Sequence, residues 1–177
     1  MRSIKGWAVL LSLLVAATLY GCHKRAGLQI GDAIPSVMLN DFHGRPISLP
    51  GNIKGKVALL RFWSIDCGFC DKEVLFSLES LYQKYKDKAF MPVAINVSRL
   101  VKTDERIKQF ERLSYPMLVD EYGLAAKRFG VIGLPTTFVI DEAGIVRGKV
   151  VGETGRQDLE KLFTTILYKG EFYEDGH

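Results

Sequence analysis

The sequence predicts one α/β domain in three layers, with a mixed sheet between helices on both faces and a β-hairpin at its start. Two apolar runs, residues 56–64 and 89–97, have the composition of strands buried on both sides, and helical apolar spacing separates them. A strand, a helix and a strand in this order form a right-handed unit with parallel strands. A DEAG turn between residues 136–140 and 145–151 predicts an antiparallel hairpin that makes the sheet mixed.

The first segment of the chain is typical of a secretory signal. Arg2 and Lys5 precede an apolar run over residues 7–19, which ends at Leu-Tyr-Gly-Cys. This run is shorter than the about 20 residues of a transmembrane helix, although an uncleaved anchor is the alternative. A signal ending in Leu-x-Gly-Cys resembles the lipobox of bacterial lipoproteins, which implies cleavage after residue 21 and lipid attachment at Cys22.

The domain boundaries follow from this signal and from composition. Residues 1–21 are predicted as the signal peptide and 22–33 as a polar, glycine-containing tether. The folded domain is predicted over 34–169, with a flexible tail over 170–177. The 24 basic and 20 acidic residues are scattered along the chain, so no basic stripe indicates nucleic-acid binding.

The remaining elements of the domain come from periodicity and turn residues. A hairpin around NDFHG opens the domain, and a helix is predicted from Cys67 to about Lys86. A short helix over 103–113, a brief strand in YPMLVD and a second short helix around Ala125 follow. The last helix is predicted to open with a capping box of Thr154 and Gln157.

The pair Cys67 and Cys70 in IDCGFC is the chemical motif of the chain. Structural zinc needs four ligands, and the three histidines lie in the apparent tether, turn and tail, so we expect no metal. A disulfide between residues three apart closes a tiny loop and removes little unfolded-chain entropy, which argues against a purely structural bond. Redox chemistry remains. A helix that begins at Cys67 would favour its thiolate, so that Cys67 attacks a disulfide and Cys70 resolves the mixed disulfide.

At this point the chain resembles the thioredoxin superfamily, and more closely its membrane-anchored extracytoplasmic TlpA/ResA-like oxidoreductases. The resemblance rests on VALLRFWSIDCGFC, on CDKE and on GVIGLPTTFVID. It implies a cis peptide bond before Pro135, which would lie against the cysteines, and a client strand bound near Leu134 and Phe69. It also implies a proton-transfer role for Glu73, although an acid in a first helical turn is equally explained by the helix dipole.

Two residues depart from the pattern of these relatives. Asp66 stands where most relatives have tryptophan, and its charge would oppose thiolate formation at Cys67 and make the couple more reducing. Arg61 occupies a strand position that carries a buried acid or an asparagine in the relatives. We expect Arg61 to pair with Glu73 or Asp66 beneath the cysteines, or else to extend its charged end to solvent.

The sequence therefore predicts a membrane-tethered thiol-disulfide oxidoreductase on the extracytoplasmic face of a bacterial membrane, a periplasmic lipoprotein without a cofactor. The resemblance implies reduction of protein disulfides, such as that of apocytochrome c, with electrons from a membrane thiol reductase. A thiol peroxidase and a thioredoxin-fold metallochaperone are the alternatives. The residues before Cys67 lack the Pro-x-x-x-Thr-x-x-Cys context of peroxiredoxins, and no histidine lies between 44 and 176.

Overall fold

The computed structural model describes residues 27–100 and 104–168, which fold around one seven-stranded sheet. The strands are β1 (Val37–Asp41), β2 (Pro46–Leu49), β3 (Val57–Trp63), β4 (Phe90–Asn96), β5 (Met117–Val119), β6 (Thr136–Ile140) and β7 (Val146–Val151). Their order across the sheet is β2-β1-β5-β4-β3-β6-β7. The strand that leads to the cysteines, β3, is therefore an interior strand.

Strand pairing confirms the predicted mixed sheet. β3 and β4 are parallel, as are β4 and β5, whereas the hairpins β1–β2 and β6–β7 are antiparallel. β6 also pairs antiparallel with β3, which places Thr137 opposite Arg61, and Ala94 of β4 lies on the other side of Arg61. The β6–β7 hairpin and the loop that follows it are thus brought beside the cysteine segment.

In the described part of the chain, four α-helices cover the sheet: α1 (Glu73–Tyr85), α2 (Glu105–Lys108), α3 (Leu124–Phe129) and α4 (Arg156–Leu167). The helix predicted over 103–113 is shorter than expected. After α2, backbone N–H groups donate to the carbonyl three residues earlier instead of four, as in the bond from the Phe110 N–H to the Ile107 carbonyl. The predicted capping box of α4 is wrong. The helix begins one residue later than that pattern requires, after an extended Gly155, and Thr154 is buried with no partner for its hydroxyl among the residues that the structure describes.

The side chains of β3 alternate between two apolar clusters, because successive residues of a strand point to opposite faces of the sheet. Leu59 and Trp63 pack on the side covered by α1 and α4, whereas Leu60 and Phe62 pack on the side of α3. Arg61 shares the α1–α4 side with Leu59 and Trp63 and is fully buried. The sheet therefore carries a cation in the layer that also contains Cys70.

The chain enters the domain earlier than the sequence predicted. The Leu28 N–H donates to the Phe129 carbonyl at 3.2 Å, and Ala33 forms a β-bridge beside the start of β7. Residues 28–33 therefore belong to the domain rather than to the predicted tether over 22–33.

The predicted signal, Cys22 and the predicted tail over 170–177 lie outside the described residues. Among the residues that the structure does describe, no helix is both long enough and apolar enough to cross a membrane.

Candidate active site

The cysteine segment connects β3 to α1 at the carboxyl end of β3. The Cys67 N–H donates to the Ser64 carbonyl at 3.2 Å, and the Ile65 N–H donates to the side-chain oxygen of Asn96 at 2.8 Å. Asn96 is fully buried at the end of β4, and its amide nitrogen donates to Ser98. The ends of two neighbouring parallel strands thus fix the backbone that leads to Cys67.

The two thiols differ in exposure, and the buried one is a weaker acid than an ordinary thiol. Cys67 is partly exposed, whereas only 4% of Cys70 is exposed, and both are free thiols. Burial raises the pKa of the Cys70 thiol to about 11, with a smaller contribution from hydrogen bonding to Cys67, while the Arg61 cation acts in the opposite direction. The pair therefore combines one accessible sulfur with one buried sulfur that ionises poorly.

The prediction that Cys67 opens the helix is wrong, because α1 begins at Glu73. The Asp71 side chain accepts the N–H of Glu73 at 2.9 Å, and an Asp that binds backbone two residues further on favours a turn or a helix start. Cys67 and Cys70 lie in the turns before α1, where the Cys70 N–H donates to the Cys67 carbonyl at 3.4 Å. At this distance from the start of α1, the helix dipole does not favour the Cys67 thiolate.

The Leu134–Pro135 segment faces Cys67, as the resemblance implies. The peptide bond between these residues is cis, and the Leu134 carbonyl oxygen lies 3.9 Å from Cys67 Sγ. The Pro135 carbonyl accepts the Gly152 N–H at 2.8 Å, which ties this segment to the end of β7. Exposed apolar side chains occur on the segments that meet here, namely Phe69, Ile132 and Val151.

The partner of Arg61 is Glu153, so the prediction that Arg61 pairs with Glu73 or Asp66 is wrong. Arg61 Nη2 lies 2.6 Å from Glu153 Oε1, and Arg61 Nη1 donates to Thr137 Oγ1 at 3.2 Å. The partner comes from 92 residues away because the β6–β7 hairpin pairs beside β3.

Glu153 also binds the cysteine segment directly. Its second oxygen, Oε2, accepts the N–H of Asp71 at 2.8 Å, and Asp71 is the residue that follows Cys70. The carboxylate thus joins the buried guanidinium of Arg61 to the backbone beside the buried thiol. The side chain of Glu153 is 34% exposed, so water reaches one end of this pair.

Asp66 is paired with Arg106 of α2 rather than with Arg61. Arg106 Nη1 lies 2.8 Å from Asp66 Oδ1, and the same guanidinium also binds Asp104. A cation lies against the Asp66 carboxylate, so the electric field of this carboxylate at Cys67 is weaker than the field of an unpaired aspartate. The predicted effect of Asp66 on the redox couple stays a prediction.

Glu73 is exposed in the first turn of α1, and within the described residues no hydrogen bond or ion pair joins its carboxylate to Cys70. This position fits a first-turn acid favoured by the helix dipole better than a proton carrier. The neighbouring Lys72 bends back, and its Nζ donates to the Cys67 carbonyl at 2.6 Å.

Sequence reasoning missed three residues of the site: Glu153, Asn96 and Arg106. A polar residue at the end of an apolar parallel strand was the available signal for Asn96. Glu153 and Arg106 are remote in sequence and gave no local signal. Over 27–100 and 104–168, no group of three histidine, cysteine or acidic side chains is placed to hold a metal ion.

An accessible sulfur can reduce a disulfide efficiently only if a second sulfur is close enough to displace the product. Cys67 and Cys70 meet this condition because they lie in one turn. Together with the sheet order and the facing cis-proline segment, this pair is typical of thioredoxin-fold thiol-disulfide oxidoreductases.

Comparison with known proteins agrees with this class. Residues 30–149 match the AhpC/TSA family. The thiol-disulfide oxidoreductase ResA of Bacillus cereus is 34% identical over 163 residues, which cover 89% of this chain and 91% of that protein. A crystal structure from Chlorobium tepidum, described as a thiol:disulfide interchange protein DsbE, is 30% identical with a TM-score of 0.69, and the match covers 79% of this chain and 99% of that chain.

A second kind of relative is also similar. The crystal structure of the peroxidoxin BcpB from Mycobacterium tuberculosis is 25% identical with a TM-score of 0.65, over 78% of this chain and 96% of that chain.

The family match and the ResA and DsbE similarities show that the chain belongs to the AhpC/TSA family and is a thiol-disulfide oxidoreductase of the thioredoxin fold.

Proposed function

We propose that this protein is a membrane-tethered reductase of specific protein disulfides outside the cytoplasm, and that Cys67 and Cys70 carry the reaction. The observation that supports it most is the inequality of the two thiols. Cys67 is partly exposed beside Leu134, whereas Cys70 is buried behind it. An exposed nucleophile and a protected second thiol are what two-step disulfide exchange needs.

The reaction transfers two electrons from the dithiol to the client. The Cys67 thiolate attacks one sulfur of the client disulfide, and the other client sulfur leaves as a thiolate and takes up a proton. Cys70 then loses its proton to solvent and attacks Cys67 Sγ, which releases the second client thiolate and leaves a Cys67–Cys70 disulfide. A membrane thiol reductase would return the pair to the dithiol.

We propose reduction of the client as the direction, as the resemblance to the ResA-like oxidoreductases implies. Strong oxidants of this class owe their potential to a stabilised reduced form, so the reduction potential of the pair distinguishes the two directions. We expect the reduction potential of the pair to be near that of thioredoxin, about −270 mV. Equilibration of the protein with glutathione and dithiothreitol buffers measures this potential. A reduction potential near that of a strong oxidant, about −120 mV, would contradict reduction as the function.

The client is expected to bind at the surface formed by Cys67, Leu134, Pro135 and Phe69. Its backbone would pair beside the cis peptide, and the exposed Phe69 ring would contact an apolar residue near the client cysteine. By analogy with the ResA-like relatives, the CxxCH disulfide of apocytochrome c is the first client to test.

Trapping tests the client and the nucleophile together. Cys70→Ser should accumulate mixed disulfides through Cys67, which mass spectrometry of the purified, membrane-tethered protein would identify. The matched control is Cys67→Ser in the same background, which should trap nothing. Mixed disulfides in that control, or none in Cys70→Ser, would overturn the assignment of Cys67.

The tether is proposed from the signal and Cys22. Wild-type protein should partition with membranes, and Cys22→Ala should lose the lipid. If the signal is instead an uncleaved anchor, the wild-type protein has the mass of the full chain and carries no lipid on Cys22.

A thiol peroxidase is the second candidate, favoured by the similarity to peroxidoxin BcpB. Consumption of hydrogen peroxide that depends on Cys67 and exceeds disulfide reduction would favour it. Stoichiometric copper retention without mixed disulfides would instead favour the metallochaperone.

A further inference from the structure

The buried pair beneath the cysteines has an unusual arrangement of charge. The guanidinium of Arg61 is fully buried in the apolar layer that contains Cys70. It has one carboxylate partner, Glu153, and one hydroxyl partner, Thr137, while its Nε has no hydrogen-bond partner among the described residues. A buried cation with an unsatisfied donor is costly, so the position of this charge calls for an explanation other than stability.

The pair is connected to Cys70 through two consecutive hydrogen-bonded contacts. Arg61 Nη2 lies 2.6 Å from Glu153 Oε1, and Glu153 Oε2 accepts the Asp71 N–H at 2.8 Å, one peptide after Cys70. Water reaches Glu153, whose side chain is 34% exposed, but does not reach Arg61. A charge in such a poorly solvated layer acts on a neighbouring thiol much more strongly than a charge at the surface.

We propose that Arg61 and Glu153 are positioning residues that set the rate of the second chemical step, in which Cys70 attacks Cys67 Sγ and releases the client. Arg61 stabilises the Cys70 thiolate, and Glu153 limits that effect by neutralising part of the cation while it holds the backbone after Cys70. This inference rests on the proposed function, because it concerns the resolving step of the same reaction.

The step itself is balanced without a further reactant. Cys70 loses its proton to solvent, and its thiolate forms a bond to Cys67 Sγ. The bond between Cys67 and the client sulfur breaks, and its electron pair leaves with the client as a thiolate, which is then protonated. Arg61 and Glu153 take no part in bond formation and act only on the stability of the charged sulfur.

The two partners of this ion pair should change the rate of the second step in opposite directions. Arg61→Met removes the cation and keeps the volume, so the thiolate becomes rarer. Glu153→Gln keeps a hydrogen-bond acceptor but leaves the cation unneutralised, so the thiolate becomes more frequent. A purely structural role would make both variants slower.

The test uses the reduced protein and one equivalent of the aromatic disulfide 5,5′-dithiobis(2-nitrobenzoate), followed by stopped-flow absorbance. Attack by Cys67 releases the first coloured thiolate, and attack by Cys70 on the mixed disulfide releases the second. Cys70→Ser identifies the phases, since it should show the first alone. Circular dichroism checks that each variant is folded.

The expected changes lie in the second phase. A tenfold change in thiolate content is about a threefold change in rate, since nucleophilicity falls as acidity rises. We expect Arg61→Met to slow this phase about three- to tenfold and Glu153→Gln to accelerate it about threefold. Arg61→Lys should restore most of the rate, and the matched control Glu160→Gln on α4, which breaks the pair with Lys84 of α1, should leave it unchanged.

Second-phase rates that move in the same direction in Arg61→Met and Glu153→Gln, or that do not move, would overturn the proposal. The outcome is separable from the proposed function. If the wild-type protein lacks the first phase, the disulfide chemistry of Cys67 is wrong, whereas an intact first phase with unresponsive second phases contradicts only the role of the ion pair.

Discussion

Two ion pairs flank the cysteine segment, and they differ in burial. Arg61 and Glu153 lie beneath Cys70 with the guanidinium fully buried, whereas Arg106 and Asp66 lie before Cys67 with 55% and 58% of their side chains exposed. Water and salt weaken the exposed pair, while the buried cation depends on its partner for stability. Loss of one partner should therefore cost the fold much more beneath Cys70 than before Cys67.

The largest expected effect is on folding. Glu153→Ala leaves Arg61 as an uncompensated buried cation, so the free energy of unfolding should fall by about 3–5 kcal/mol. Urea denaturation of the reduced protein measures it. The control is Glu121→Ala, which breaks the exposed pair with Arg99 and should cost less than about 1 kcal/mol. Equal losses in the two variants would remove the distinction between buried and exposed pairs.

The second effect is a loss of protein stability in alkali that the buried Cys70 thiol causes. Because the pKa of folded Cys70 is raised to about 11 from 9.0, the folded state holds its proton where the unfolded chain loses it. The contribution of this thiol to the free energy of unfolding is complete below about pH 9. It is lost between about pH 9 and 11, a loss of at most about 2–3 kcal/mol.

Cys70→Ser should lack this loss, so the difference between wild type and variant isolates the thiol from other groups that titrate in alkali. The measurement is urea denaturation under reducing conditions at several pH values from 8 to 11. Parallel curves for the two proteins would show that Cys70 titrates normally.

The third effect is on the rate of attack by Cys67. Asp66→Asn removes the negative charge next to the nucleophile, and we expect the first stopped-flow phase to accelerate about two- to threefold at low salt. The gain should shrink above about 0.1 M salt, where the screening length is near 10 Å. Asp87→Asn, an exposed change at the far end of α1, is the control. A gain unaffected by salt would indicate a conformational cause.

The smallest effect is that of Arg106→Ala on stability, which should be barely measurable because both side chains of its pair with Asp66 are more than half exposed. Thermal unfolding at low and high salt measures it. A larger loss would mean that α2 depends on this contact, and the contrast between the two ion pairs would then fail.

The strands show how much of the fold local pattern predicts. β3, β4 and the β6–β7 hairpin were found within a residue or two, because apolar runs and a DEAG turn are local signals. Helix starts were predicted less well: α1 begins at Glu73 and α4 after Gly155, each displaced from the expected residue. These starts depend on the Asp71 side chain and on the burial of Thr154, which the pattern does not contain.

The site divides in the same way. The pair Cys67 and Cys70 was predicted from its spacing in the sequence, and the cis bond before Pro135 was predicted from the family resemblance. The ionic partners were not, because a charge can be recognised in a sequence while the residue that neutralises it is chosen by strand order. Glu153 reaches Arg61 only because β6 pairs with β3.

The sequence by itself determined the elements, the α/β class and the two thiols, since periodicity and motif spacing are properties of neighbouring residues. Only the tertiary structure decided how deeply Cys70 is buried and which acid lies beneath it. Burial depends on the packing of α1 and α4 over β3, and the charge at the site depends on a loop 92 residues from Arg61. Both are long-range consequences of how the sheet is ordered.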